Sequence, residues 1–168
     1  MVKNKHIIIK KYLEDHSLVE SNIASFNDFI EKRMQTIVDE MGASIDNDDF
    51  EITLGKIEVG KPRIVEADGS SSLVAPSQAR LRNLTYSSPV TLEMTVKKDD
   101  QVDSQVVEIG TMPVMVKSKA CNTHGMSEEE LIENYNDPLD TGGYFIVNGN
   151  ERVMVGRRFS RKSTIYRK

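Results

Sequence analysis

The chain has 168 residues, of which 38% are hydrophobic, a formal net charge of −4 and one cysteine, Cys121. That length supports one domain with a core, and a lone cysteine excludes an internal disulfide, so the expected setting is cytoplasmic. The N-terminal apolar run, Ile7 to Ile9, is flanked by lysines and is too short for a signal peptide or a membrane span.

In chain order, Lys5 to Lys10 reads as a first strand and Tyr12 to Val19 as a short helical turn. Phe26, Phe29, Ile30, Met34, Ile37, Val38 and Met41 then recur at spacings of three and four, the stripe of a core-facing amphipathic helix over 26–41. Ser25 is the expected N-cap, Asp28 sits at the third helical position, and Gly42 ends the pattern. Asp46 to Asp49 reads as a solvated loop. Phe50 stands where a calcium loop needs an oxygen ligand, and the loop's Gly and terminal Glu are missing.

From Phe50 the period changes to two. Ile52 and Leu54, then Ile57 and Val59, alternate with polar residues, as in two strands or one strand bulged around Gly55. Pro62 restricts Arg63 to Glu66 to a strand start or sheet edge, and Asp68 to Ser72 reads as turn and loop. Pro76 to Leu84 predicts a short helix with Pro near its start. Val90, Leu92, Met94 and Val96 predict a half-buried strand that turns at Lys97 to Asp100. Gln105 to Val116, interrupted by Gly110 and Pro113, predicts an irregular or bulged strand pair. Ser127 and Glu130 form a capping box ahead of a helix that Asp137-Pro138 should stop. Gly142-Gly143 and Asn148-Gly149 bracket a β-prone run, and the second pair suits a type I′ hairpin turn. Helix, strands, short helix, strands, short helix and hairpin, without repeats, argue for an α+β unit: a largely antiparallel sheet with one long amphipathic helix and short helices.

Charge is unevenly spread. Six of the 22 basic residues (Arg157, Arg158, Arg161, Lys162, Arg167, Lys168) and none of the 26 acidic ones lie in 157–168, leaving 16 basic against 26 acidic in the first 156. A body with that excess of acid has no overall attraction for a phosphate backbone.

Candidate chemistry is sparse. Cys121 and His124 are spaced like half of a zinc site, but His6 and His16 are remote and isolated, so a buried thiol and a loop histidine are expected. Glu128 to Glu130 are explained by the helix start they occupy. The ten glycines form neither a dinucleotide fingerprint nor a phosphate-binding loop, and no Ser lies in a nucleophile elbow. Arg80 and Arg82 could clamp a phosphate or a carboxylate, but two residues apart on a helix they point in different directions, and ion pairing within the protein is expected. No catalytic, cofactor-binding or metal-ligating residue is assigned.

Four ordered segments carry a resemblance: Ser25 to Ile30, Ala79 to Pro89, Ile109 to Ser118, and Gly142 to Val153. Together they are similar to the N-terminal end of the second-largest subunit of multisubunit DNA-directed RNA polymerases in its archaeal form, or to its B″ half where the gene is split. The resemblance covers residues 6 to 156. It implies part of the α+β protrusion domain, which forms one wall of the DNA cleft and packs on other polymerase regions. It implies as partners the other polymerase subunits, the rest of the second-largest subunit and template DNA, with no membrane. Magnesium in such a complex is held mainly by the largest subunit, so no cofactor is expected in this chain.

One departure stands out. The family's hairpin continues into something like Glu-Asp-Leu-Ala-x-Asn-Arg, whereas here Arg157 to Lys168 follow. Codons compatible with those residues exist which, read from the second base of the Arg157 codon, give Glu-Asp-Leu-Ala-Gly-Asn-Arg. The expectation is a partial protrusion-like domain over 1–156 and a basic tail, 157–168, read out of frame. Such a piece should be marginally stable and aggregation-prone. The alternatives are a free-standing nucleic-acid-binding or regulatory module that uses the basic tail, and a nonfunctional truncated product.

Overall fold

The computed structural model describes residues 5–15, 17–41, 44–47, 50–98 and 101–154. Its largest element is an antiparallel sheet of four strands: β1 (Ser44–Asn47), β2 (Phe50–Val59), β5 (Ser87–Lys98) and β6 (Gln101–Pro113), in the order β1-β2-β5-β6. Two antiparallel hairpins accompany it, β3 (Arg63–Val65) with β4 (Ser71–Leu73), and β7 (Phe145–Val147) with β8 (Asn150–Arg152). The helices are α1 (Lys5–Asp15), α2 (Glu20–Asp28), α3 (Met34–Glu40), α4 (Pro76–Leu81) and α5 (Glu128–Glu133). One π-helical turn, Phe29–Arg33, joins α2 to α3 without a break. The class is α+β with antiparallel pairing, as the sequence pattern predicts.

Pairing register sorts the sheet into faces. Ile52, Leu54, Ile57 and Val59 lie opposite Val96, Met94, Leu92 and Val90, so the apolar halves of both patterns share one face. The predicted bulge around Gly55 is present as a register shift between Leu54 and Ile57. Gln35 of α3 closes it: its amide nitrogen donates to Gly55 O at 3.2 Å and its amide oxygen accepts from Ile57 N at 3.0 Å. A bulge strands one donor and one acceptor, and a single side chain satisfies both. Val38 of the same helix is buried.

The main core lies at the other end of β5. Val74, Ala79, Tyr86, Val114, Val116, Ala120, Cys121 and Ile146 form one buried cluster, with Phe26, Ile30, Val59, Ile64, Leu84 and Tyr144 packed around it. Segments distant in sequence are tied together there by backbone hydrogen bonds: Tyr86 N to Ile146 O, Val114 N to Tyr86 O and Val116 N to Tyr144 O, each 2.9 Å.

Several expectations are corrected. Lys5 to Lys10 is helical, part of α1; Lys10, Lys11, Leu13 and Glu14 are good helix formers and override the β-branched triplet. The long helix begins at Glu20, not after Ser25, with Val19 as its N-cap and Glu20 in the first turn, where a carboxylate complements the helix dipole. Gly42 lies outside the described residues. Asp46 and Asn47 are strand rather than loop, because β1 pairs with β2 from Ser44↔Thr53 to Asn47↔Phe50; ladder bonds outweigh weak local preference. Ser71 and Ser72 likewise join β4 instead of extending the loop.

Gln105 to Val116 is not a strand pair. It is one 13-residue strand beginning at Gln101 and stopping at Pro113, with its irregularity opposite Val90 and Thr91. Lys97 and Lys98 are strand, while 99–100 lie outside the described residues. Helix α5 stops at Glu133, before Asp137-Pro138, because Asn134 caps it and Tyr135 takes φ +57°. Its N-terminal capping box forms as predicted: Ser127 N donates to Glu130 Oε2 at 2.7 Å and Glu130 N to Ser127 Oγ at 3.3 Å.

Candidate interface

Several of the charged and polar side chains that the sequence singles out hold the fold through contacts with one another or with backbone. Arg80, on α4, donates to Glu151 Oε1 at 2.9 Å and to Asp140 Oδ2 at 3.3 Å. It also donates to the Tyr144 hydroxyl, which in turn donates to Asp140, and its guanidinium carbon lies 5.6 Å from the Tyr144 ring centroid. Burial pushes the Tyr144 phenol up from its ordinary value, helped by the hydrogen bond to Asp140. One cation thereby joins α4, the 140 loop and the hairpin. Arg82 points elsewhere and forks onto Glu66 at 2.8 and 3.0 Å, holding that carboxyl below its ordinary value. The expected internal pairing of both arginines is therefore observed.

Cys121 is a fully buried thiol and His124 is exposed, as expected. The Cys121 sulfur lies 3.2 Å from the Tyr86 hydroxyl and 3.1 Å from Thr123 Oγ1. The same Tyr86 oxygen accepts from Asn122 N at 2.9 Å. The Asn122 side-chain amide donates to Pro62 O and Val74 O at 2.8 and 2.7 Å. Burial, reinforced by Cys121, pushes the Tyr86 phenol up. These groups act as cross-braces between loops. Among the described residues no three His, Cys, Asp or Glu side chains converge as a metal ion would require, and no helix is long and apolar enough to cross a membrane. The basic residues of 157–168 lie outside the described residues.

What sequence reading missed is a surface. A groove of about 670 Å³ opens between α2, the π turn, the end of β6 and the β7–β8 hairpin, with Phe26, Phe29, Met112, Met115, Phe145 and Val147 among its lining. The hairpin builds it by alternation. Phe145 pairs with Arg152 and Val147 with Asn150, so these share one face, while Ile146 is buried in the core and Glu151 reaches Arg80 on the other. Phe26 and Phe145 meet edge to face, with centroids 5.5 Å apart. Gly142 and Gly143, at φ +71° and +80°, let the chain enter this hairpin; a Cβ at Gly143 would lie 2.6 Å from the Val19 Cβ. The β-prone run at 145–147 signals a strand, but the groove forms only once α2 and β6 are brought beside it.

The comparisons with known proteins follow the same segments. A family model described as RNA polymerase beta subunit matches residues 17–158. The chain belongs to that family. Among its relatives is the DNA-directed RNA polymerase subunit Rpo2N of Methanocaldococcus jannaschii, 46% identical over 156 residues, covering 88% of this chain and 31% of that protein. Rpo2N of Halobacterium salinarum is 40% identical over 166 residues, covering 91% and 32%. Subunit Rpo2 of Saccharolobus solfataricus is 41% identical over 150 residues, covering 88% and 13%. The chain thus spans about a third or less of these curated relatives, and the similarity is to N-terminal portions of the second-largest polymerase subunit.

Proposed function

We propose that this RNA polymerase beta-family chain serves as architecture within a DNA-directed RNA polymerase, forming part of the wall of the DNA cleft. Nucleotidyl transfer, and the magnesium that supports it, would be supplied by other parts of the assembly. The observation that carries this reading is the match over 17–158, set against a body whose singled-out charges are engaged with one another. Arg80, Arg82, Cys121 and Glu130 each have a structural partner. The apolar groove is the surface through which the chain would pack on the rest of the polymerase, since exposed apolar concavities of this size mark interaction sites.

The test is to express the tagged chain in an archaeal host and purify it through a high-salt wash. The reading predicts that the other polymerase subunits come with it in fixed proportion. It also predicts that the chain alone, given template, nucleotides and magnesium, makes no RNA. RNA synthesis by the isolated chain would contradict it, as would a chain that always purifies free of the other subunits. Salt-sensitive DNA binding abolished by removing 157–168 would favour the nucleic-acid-binding module instead.

A further inference from the structure

The described part of the chain holds five arginines, and four of them reach a carboxylate: Arg33 to Asp28, Arg63 to Glu108, Arg80 to Asp140 and Glu151, and Arg82 to Glu66. The fifth, Arg152, makes no ion pair among the described residues and lines the apolar groove. Its pairing opposite Phe145 puts it on the groove face of the hairpin rather than on the Arg80 side. A guanidinium keeps its charge at any physiological pH, and its planar fork matches a carboxylate with two parallel hydrogen bonds. Covering it with apolar surface alone would strand a charge, which is strongly unfavourable.

Resting on the polymerase reading above, we propose that the groove seats an apolar chain segment that carries an Asp or Glu, presented by another part of the polymerase and recognised by Arg152. Phe29, 38% exposed in spite of its size, and Phe145 receive the apolar side chains. Arg152 fixes the register by taking the carboxylate. The curated relatives extend well beyond their matched third, so polymerases of this family contain further chain able to supply such a segment.

The test places the photo-crosslinking amino acid p-benzoylphenylalanine at position 29 of the full chain, in polymerase assembled in vivo, and maps the adduct by mass spectrometry. The expected adduct lies in a polymerase polypeptide, in an apolar segment with an acidic residue within about one helical turn, roughly four residues. Arg152→Glu should lower the yield about tenfold, the worth of one charge-assisted hydrogen bond. Changing the mapped acidic residue to Arg should restore it. Lys97→Glu, at the far end of the sheet, should leave the yield within about twofold, as expected for an exposed charge, and a thermal melt confirms that each variant folds. An adduct with a second copy of this chain, with a bound lipid or with a protein outside the polymerase overturns the proposal, and so does an Arg152→Glu yield equal to the parent's. Entry into polymerase with no effect of Arg152→Glu defeats this inference alone; failure to enter polymerase defeats the functional reading as well.

Discussion

The two ends of strand β5 carry the same alternation of apolar and polar residues and meet different fates. At the start, Val90 and Leu92 are 6% and 8% exposed; at the end Val96, on the same face, is 38% exposed. At Val90 and at Val96 alike, β5 is paired with β2 on one side and β6 on the other. The difference lies in what folds over them. Around the start of β5 gather Ala79 of α4, the 114–124 turns and the β7–β8 hairpin, held by the Tyr86, Asn122 and Arg80 bonds. Toward the far end none of Thr95 to Lys98 is buried. Period two thus specifies a strand, while burial depends on tertiary partners that the pattern does not name.

If that contrast is right, substitutions should cost most where chain segments converge. The largest effect is expected at Gly142. It combines φ +71° with a position where a Cβ would stand 2.6 Å from Val116 O, so Gly142→Ala should destabilise by about 3 kcal/mol or more through backbone strain and overlap, measured by urea unfolding. Ile146, fully buried in the main core, comes next. Ile146→Ala should cost about 2–4 kcal/mol, for lost transfer energy and the cavity left behind.

Smaller effects come from polar braces. Gln35→Leu leaves the stranded donor and acceptor of the β2 bulge without their partner, and should cost about 1–2 kcal/mol. Tyr86 supplies a pH dependence. Its phenol is raised above the ordinary value of 10.0, so the folded state holds the proton more tightly than the unfolded one. The stability is complete below that ordinary value and is lost as pH rises past it, at up to about 1.4 kcal/mol per pH unit. An alkaline melt series should show the loss, and Tyr86→Phe should remove that part of the slope. The smallest effect is expected on the open face of the sheet, where Val106 lies opposite Glu93 and is exposed: Val106→Thr should change stability by less than about 0.5 kcal/mol. A cost comparable with Ile146→Ala would erase the distinction between the core and the open sheet.

How much of this is legible from sequence follows the same division. Features that depend on local chemistry are readable: the Ser127–Glu130 box, the Asn148-Gly149 reversal at φ +50° and +74°, the Gly55 bulge and the divergence of Arg80 from Arg82. Elements that depend on a partner are not. Asp46 and Asn47 are strand only because β2 lies beside them, and Gln105 to Pro113 is one strand only because β5 runs its length. Lys5 to Lys10 misleads because three isoleucines in a row outweigh their helix-forming neighbours in any short window. The groove is invisible for the same tertiary reason. Its walls come from residues near 26, 112 and 147, and no spacing within one segment announces them.

The most direct test of an architectural role is amide hydrogen exchange of the chain alone and within assembled polymerase. Amides tied into the main core, such as those of Tyr86, Val114 and Val116, should exchange slowly in both states, whereas the groove wall at 25–29 and 150–154 should gain protection on assembly. Identical exchange at the groove in the two states would contradict the account.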